Sequence, residues 1–162
     1  MAALDQFHGP VPLITVENGL EAMDWYGRAF GAEKLNVMAT KDRHIAHALM
    51  KAYNCFFMFN DNNSWNLRPP KDHNGTTCCL IFYVPDCHAA IDRAVAAGAV
   101  IVQPPEDYFW GERSARVRDP WGHHWAFSQR LKRPTPEELE EGWERYEAKL
   151  AAQRADGSEA TA

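Results

Sequence analysis

An internal repeat limits the folds open to this chain more than any other feature. The apolar run VPLITV (11–16) leads into ENGLEAMDWYGRAFGAE, where Leu20, Met23, Tyr26 and Phe30 recur at helical spacing and Gly31 supplies a left-handed stop. Farther on, the β-rich CCLIFYV (78–84) precedes PDCHAAIDRAVAAGA, where Ala90, Ile91, Ala94 and Val95 form a stripe that Gly98 ends. Val16 and Val84 are 68 positions apart, as are Ala22 and Ala90, and Gly31 matches Gly98 after a one-residue slip. Three β-type segments follow each helix, at about 34–40, 44–51 and 55–60, then at 100–103, 114–118 and 124–129. The chain therefore reads as βαβββ written twice, an α+β layered arrangement.

The predicted boundaries are a first module over 9–62, a polar link over 63–75, a second module over 76–131, a C-terminal helix over 132–154 and a disordered tail over 155–162. In the C-terminal segment TPEELEEGWERYEAKLAAQ, Thr135 is placed as N-cap, Pro136 at the first helical position and Glu138 to complete a capping box. Leu139, Trp143, Tyr146 and Leu150 then share a face that should dock on the body or on a partner subunit. Trp65, the one tryptophan of the link, is placed either at one end of a binding groove or on the outer sheet.

Composition excludes several classes. A net charge of −5 without a long Lys/Arg run argues against nucleic acid. There is no stretch of about 18 uninterrupted apolar residues and no basic-then-apolar start, so no membrane partner is expected and a cytoplasmic location is. Four cysteines, Cys55, Cys78, Cys79 and Cys87, form no CxxC pair and read as reduced thiols.

Paired βαβββ units with FGAE ending the first helix and AAGA ending the second resemble the vicinal oxygen chelate superfamily, which includes glyoxalase I, bleomycin-resistance proteins and extradiol dioxygenases. The string PPEDYFWGERSARVRDPWGHHWAFS and the later TPEEL are similar to its PhnB-like, glyoxalase-like branch, and the resemblance covers about 9–140. It implies that the modules pair their sheets into a curved eight-stranded trough with outer helices and a ligand inside, assembled within one chain or across a dimer. It also implies, for metal-dependent members, four His, Glu or Gln ligands on the first and last strand of each module. Carried over by motif, those positions fall on Val11, Met58, Cys79 and Ala126. An aliphatic side chain has no lone pair, and a thioether with a thiol suits a soft ion. No metal and no cofactor is expected.

Strand alternation puts His124 on the face of Ala126 and Ser128, with Trp125 and Phe127 opposite. His124 thus either lines the trough or bonds a backbone carbonyl, while His123 belongs to the DPWGH turn. Tyr83 shares the face of Cys79 and Ile81, as a phenol in the cavity or a core aromatic with its hydroxyl at the rim. In HIAHALMK, Ile45, His47 and Leu49 are expected to look into the trough. Trp110, Glu112 and Arg116 come from the loop EDYFWGERSAR, in which Gly111 suits a lid or an aromatic wall. Arg116 either faces the cavity, pairing with Glu112 or an anionic ligand, or makes a surface salt bridge.

The expected function is a homodimeric small-molecule binder that sequesters or transforms an organic ligand. Phe56, Met58, Cys79, Tyr83, Trp110 and Arg116 would contact the ligand, and His47, His124 and Glu112 would carry any proton transfer. The alternative is a metal-dependent lyase, isomerase or dioxygenase with ligands relocated to His44, His47, His124 and Glu112. A third class is a scaffold that docks through the Trp143/Tyr146 helix.

Overall fold

The computed structural model describes residues 7, 9–61 and 67–155, and within them the repeat is realised element by element. The first copy comprises β1 (Leu13–Val16), α1 (Gly19–Phe30), β2 (Glu33–Ala39), β3 (Ile45–Ala52) and β4 (Cys55–Asp61). The second comprises β5 (Cys79–Tyr83), α2 (Cys87–Ala96), β6 (Val100–Tyr108), β7 (Glu112–Arg118) and β8 (His124–Arg130). A 3-10 turn over Pro70–His73 lies in the link, and α3 (Pro136–Ala155) follows the second copy. Each copy forms its own four-stranded mixed sheet, in the orders β1-β4-β3-β2 and β5-β8-β7-β6. In both, the first strand runs parallel to its neighbour and the other pairs are antiparallel. The fold class is the α+β one expected from the repeat. Trp65 and the tail beyond 155 lie outside the described residues.

One aromatic core serves both sheets. Tyr26 and Phe30 of α1 meet Phe57 and Phe59 of their own sheet as well as Phe82, Trp125 and Phe127 of the other. Phe57 also touches Trp125 directly, with ring centroids 5.3 Å apart. Burial of such side chains contributes roughly 1.5–3 kcal/mol each. Because these contacts cross between the copies, neither module has a hydrophobic core of its own. Trp25 Nε1 donates to Ala97 O at 2.8 Å, which fixes α1 against the end of α2.

Two buried carboxylates hold the strand ends. Asp61 accepts from Gly19 N and from Ile45 N (2.6 Å), so the start of α1 is capped from β4, while the preceding Asn18 side chain bonds Glu21 instead. Asp119 accepts four hydrogen bonds: Tyr26 Oη (2.8 Å) and Trp125 Nε1 (2.9 Å) on Oδ2, Trp121 N and His123 N (both 2.9 Å) on Oδ1. The turn it organises then reaches β1, since Trp121 Nε1 donates to Glu17 O at 2.6 Å and His123 Nε2 lies 2.7 Å from Thr15 O.

Three local expectations are corrected. Ile45 does not share the face of His47; it is fully buried in the core under α1, where a Cβ on Gly19 would strike it. The cause is a register shift between Met38 and Ala39, together with the Asp61 bond to Ile45 N. Val95 is 40% exposed and lies off the buried stripe of Cys87, Ala90, Ile91 and Ala94. β6 runs through Pro104 and Pro105 to Tyr108, five residues beyond its predicted end. Proline is tolerated there because β6 is an edge strand whose register shifts between Gln103 and Glu106.

α3 opens with the predicted box: Thr135 N donates to Glu138 Oε2 at 2.9 Å, and Glu138 N to Thr135 Oγ1 at 3.2 Å. Its Trp143 and Tyr146 rest on Phe109, at the tip of the β6–β7 hairpin. No helix among the described residues is long and apolar enough to cross a membrane.

Candidate functional site

Each sheet buries one face under the helices and leaves the other open. Pairing aligns side chains in rows across the strands, because directly opposed residues share a face. On the open face of the second sheet one row is Cys79, His124, Arg118 and Val100, and the next is Ile81, Ala126, Arg116 and Gln103. Tyr83, Ser128, Ser114 and Glu106 follow, then Arg130, Glu112 and Tyr108. Six of the sequence-derived candidates therefore share this face or its rim: Cys79, Tyr83, Trp110, Glu112, Arg116 and His124. Trp110 lies at the rim, stacked on Tyr108 with centroids 4.2 Å apart and planes 12° apart.

His47, Phe56 and Met58 lie on the first sheet. Its open face carries the rows Leu13, Met58, Leu49 and Asn36; Met38 and His47; and Phe56, Lys51 and Glu33. Phe56 lines a cavity of about 390 Å³ with Phe7, Pro12, Ile81 and Phe82, and His124 lines another of about 460 Å³ with Leu13, Thr15 and Leu80. Neither cavity brings His47 or Met58 together with Tyr83, Trp110 or Arg116.

Electrostatics on the second face centre on Arg116. Burial first, then the positive charges of Arg116 and Arg118, push the His124 imidazole below its ordinary value, so it is held neutral. Burial raises the Cys79 thiol, and Arg116 opposes that rise. The Tyr108 phenol is raised by burial and by Glu106, again against Arg116. Glu112 does not pair with Arg116. It is 8% exposed, accepts from Ser128 Oγ at 2.7 Å and is bridged to Arg130 Nη2 at 2.7 Å. Among the described residues the buried Nε of Arg116 has no acceptor.

The hairpin tip carries Tyr108, Phe109 and Trp110 and is tied to the segment after β8. Gly111 has φ 81°, its N–H bonds Tyr108 O at 2.9 Å, and its carbonyl accepts from Leu131 N and Lys132 N. A Cβ at Gly111 would fall 2.5 Å from Lys132 O, so the segment after β8 fastens the tip in place. Sequence reading missed Tyr108, Gln103 and Ser114 as parts of this face. Alternation between Glu112 and Arg116 was the available signal for Ser114, and its continuation backward from Glu112 the signal for Tyr108; Gln103 joins the face only through the register shift before Glu106, which alternation does not reveal.

The metal implied by the family does not fit these residues. Val11 and Ala126 offer no donor atom, and the strand partners of Cys79 and Ala126 are His124 and Ile81. Among the described residues no three His, Cys, Asp or Glu side chains form a metal-sized group. The relocated set is dispersed as well. His44 sits 3.6 Å from Asp61 on the first copy, while His124 and Glu112 are three rows apart on the second sheet, roughly 20 Å by strand rise.

The family model "Glyoxalase/Bleomycin resistance protein/Dioxygenase superfamily" matches residues 8–127. An uncharacterized protein of Mycobacterium tuberculosis is 31% identical over 133 residues, spanning 80% of this chain and 78% of the relative. The crystal structure of TioX from Micromonospora sp. ML1 is 31% identical with a TM-score of 0.60, covering 76% of this chain and all of that one. The fosfomycin resistance protein FosX from Listeria monocytogenes, at 15% identity and a TM-score of 0.56 over 82% of this chain and 97% of its own, shares the fold. The repeated βαβββ unit, the two mixed sheets and this match over most of the sequence place the chain in the glyoxalase/bleomycin resistance protein/dioxygenase superfamily.

Proposed function

We propose that the protein is a cytoplasmic, metal-free homodimer that binds a small aromatic molecule on the open face of its second sheet and sequesters it. The observation that carries this reading is the Tyr108–Trp110 stack beside a face whose metal-equivalent positions hold aliphatic and sulfur side chains. A preformed aromatic wall offers a ligand stacking area at little cost in side-chain entropy. The family takes in bleomycin resistance proteins, which supply the analogy for sequestration. A homodimer is favoured because Leu13, Met38, Ile81 and Tyr83 are all exposed on the open faces, and a second copy laid across them would cover both faces and form the trough.

Titration of the chain with the neutral fluorophore N-phenyl-1-naphthylamine tests the reading. Wild type is expected to bind one probe per site, with Trp110→Ala weakening binding about tenfold or more, the scale of one lost aromatic contact of roughly 1.4 kcal/mol. Absence of binding, or binding indifferent to Trp110→Ala and Tyr83→Ala, overturns it.

A further inference from the structure

Charge on the open face of the second sheet is unbalanced in a way that points to one class of ligand. Arg113 is bridged to Asp107, Arg130 to Glu112 and Lys149 to Glu106. Both carboxylates of the face rows are thereby engaged: Glu112 by Arg130 and Ser128, Glu106 by Lys149. Arg116 lies one row from Glu106 and two from Glu112, in the middle of its own row beside the small Ala126, and has no carboxylate within ion-pair distance among the described residues. Its neighbours add no negative charge: His124 is held neutral and Cys79 stays protonated.

A guanidinium with a buried, unsatisfied N–H is costly unless an acceptor arrives, and a fork of N–H donors matches a planar or tetrahedral oxyanion. A second copy is a poor source of that acceptor. On the open face of the first sheet the only carboxylate in the rows above is Glu33, which is directly opposite Lys51. Ala126 beside Arg116 is small, and Ser114 lies in the adjoining row as a further hydroxyl donor.

We propose that Arg116 anchors an oxyanion of the ligand, so that the site selects aromatic molecules carrying a carboxylate, sulfonate or phosphate over neutral ones of the same shape. This rests on the small-molecule reading above and deepens it. The charged group pairs with Arg116 while the ring system lies toward Tyr108, Trp110 and Tyr83.

The test compares 8-anilino-1-naphthalenesulfonate with N-phenyl-1-naphthylamine, nearly the same fluorophore without the sulfonate, on the full-length chain. Wild type is expected to prefer the sulfonate about tenfold or more, as one charge-assisted bond implies. Arg116→Gln should abolish the preference while changing affinity for the neutral probe less than twofold, and Arg116→Lys should retain part of it. If the neutral probe binds wild type as tightly as the anion, or Arg116→Gln weakens both equally, the oxyanion anchor is wrong although the groove still binds aromatics. If neither probe binds, the ligand-binding reading fails and takes this one with it. If Arg116→Gln alters only the monomer–dimer equilibrium, with probe selectivity intact, the acceptor for Arg116 is the second copy and the proposal is overturned.

Discussion

Replacing Asp119 by Asn changes one atom of a 4%-exposed side chain and should cost much of the fold's stability. The carboxylate accepts two bonds on each oxygen, from Tyr26 and Trp125 on one and from the backbone of Trp121 and His123 on the other. An amide has one accepting oxygen, so two of the four donors must face an NH2 group. Hydrogen bonds to a charged group contribute about 1.5–3 kcal/mol each, giving a gross loss of roughly 3–6 kcal/mol. Removing a buried charge recovers part of its desolvation cost, so the lower end is expected. A loss of about 3 kcal/mol is a large share of the roughly 5–15 kcal/mol typical of a domain, and at about 2–4 °C per kcal/mol it lowers Tm by roughly 6–12 °C. Urea titration of Asp119→Asn, Tyr26→Phe and the double variant measures it. Tyr26→Phe should be destabilising alone and less so beside Asp119→Asn, where an amide NH2 facing Tyr26 Oη replaces the charge-assisted bond with a neutral one. A loss below about 1 kcal/mol for Asp119→Asn, or simple additivity of the pair, would refute the view that this carboxylate fastens the β7–β8 turn to the first module.

Other consequences can be measured separately. Burial, and then Asp119, raise the Tyr26 phenol well above its ordinary value. Its stabilising contribution is therefore complete below the unfolded value of about 10 and is lost as pH rises beyond it; Tyr26→Phe should show a shallower alkaline decline than wild type, and an identical decline contradicts this. His124 has the opposite sense. Its depressed folded value means that its contribution stands above about pH 6.5 and is lost as pH falls through the folded value. NMR titration of its ring protons should give a midpoint below that of a free histidine, moving up in Arg116→Gln; an ordinary midpoint contradicts the burial assigned to it. A Cβ on Gly142 would lie 2.6 Å from Phe109 Cβ, so Gly142→Ala should loosen α3 from the hairpin despite the roughly 1 kcal/mol gain in helix propensity. Faster tryptic release of the C-terminal segment with intact helical circular dichroism is the expected pattern, and unchanged proteolysis speaks against this packing.

The sequence was most informative where local chemistry decides the outcome. Gly31 ends α1 in the left-handed region, Thr135 and Glu138 close a capping box, and alternation from Trp125 to Phe127 puts His124 on the open face, because each of these depends on neighbours a few residues away. It was least informative where distant partners decide. Ile45 moved to the core because of a bulge opposite it and a carboxylate 16 residues along the chain. Glu112 went to Arg130 and left Arg116 without a carboxylate partner among the described residues, a choice set by strand register rather than by proximity in sequence. β6 outran its two prolines only because it lies at a sheet edge, which the order of strands alone reveals.

The central claim is that this groove holds its guest without an ion. The most direct measurement is the affinity for N-phenyl-1-naphthylamine in three preparations of the full-length chain: purified without chelator, stripped with EDTA, and supplemented with Zn, Mn or Ni. The account predicts the same dissociation constant in all three. Binding that vanishes with EDTA and returns with one ion would contradict it.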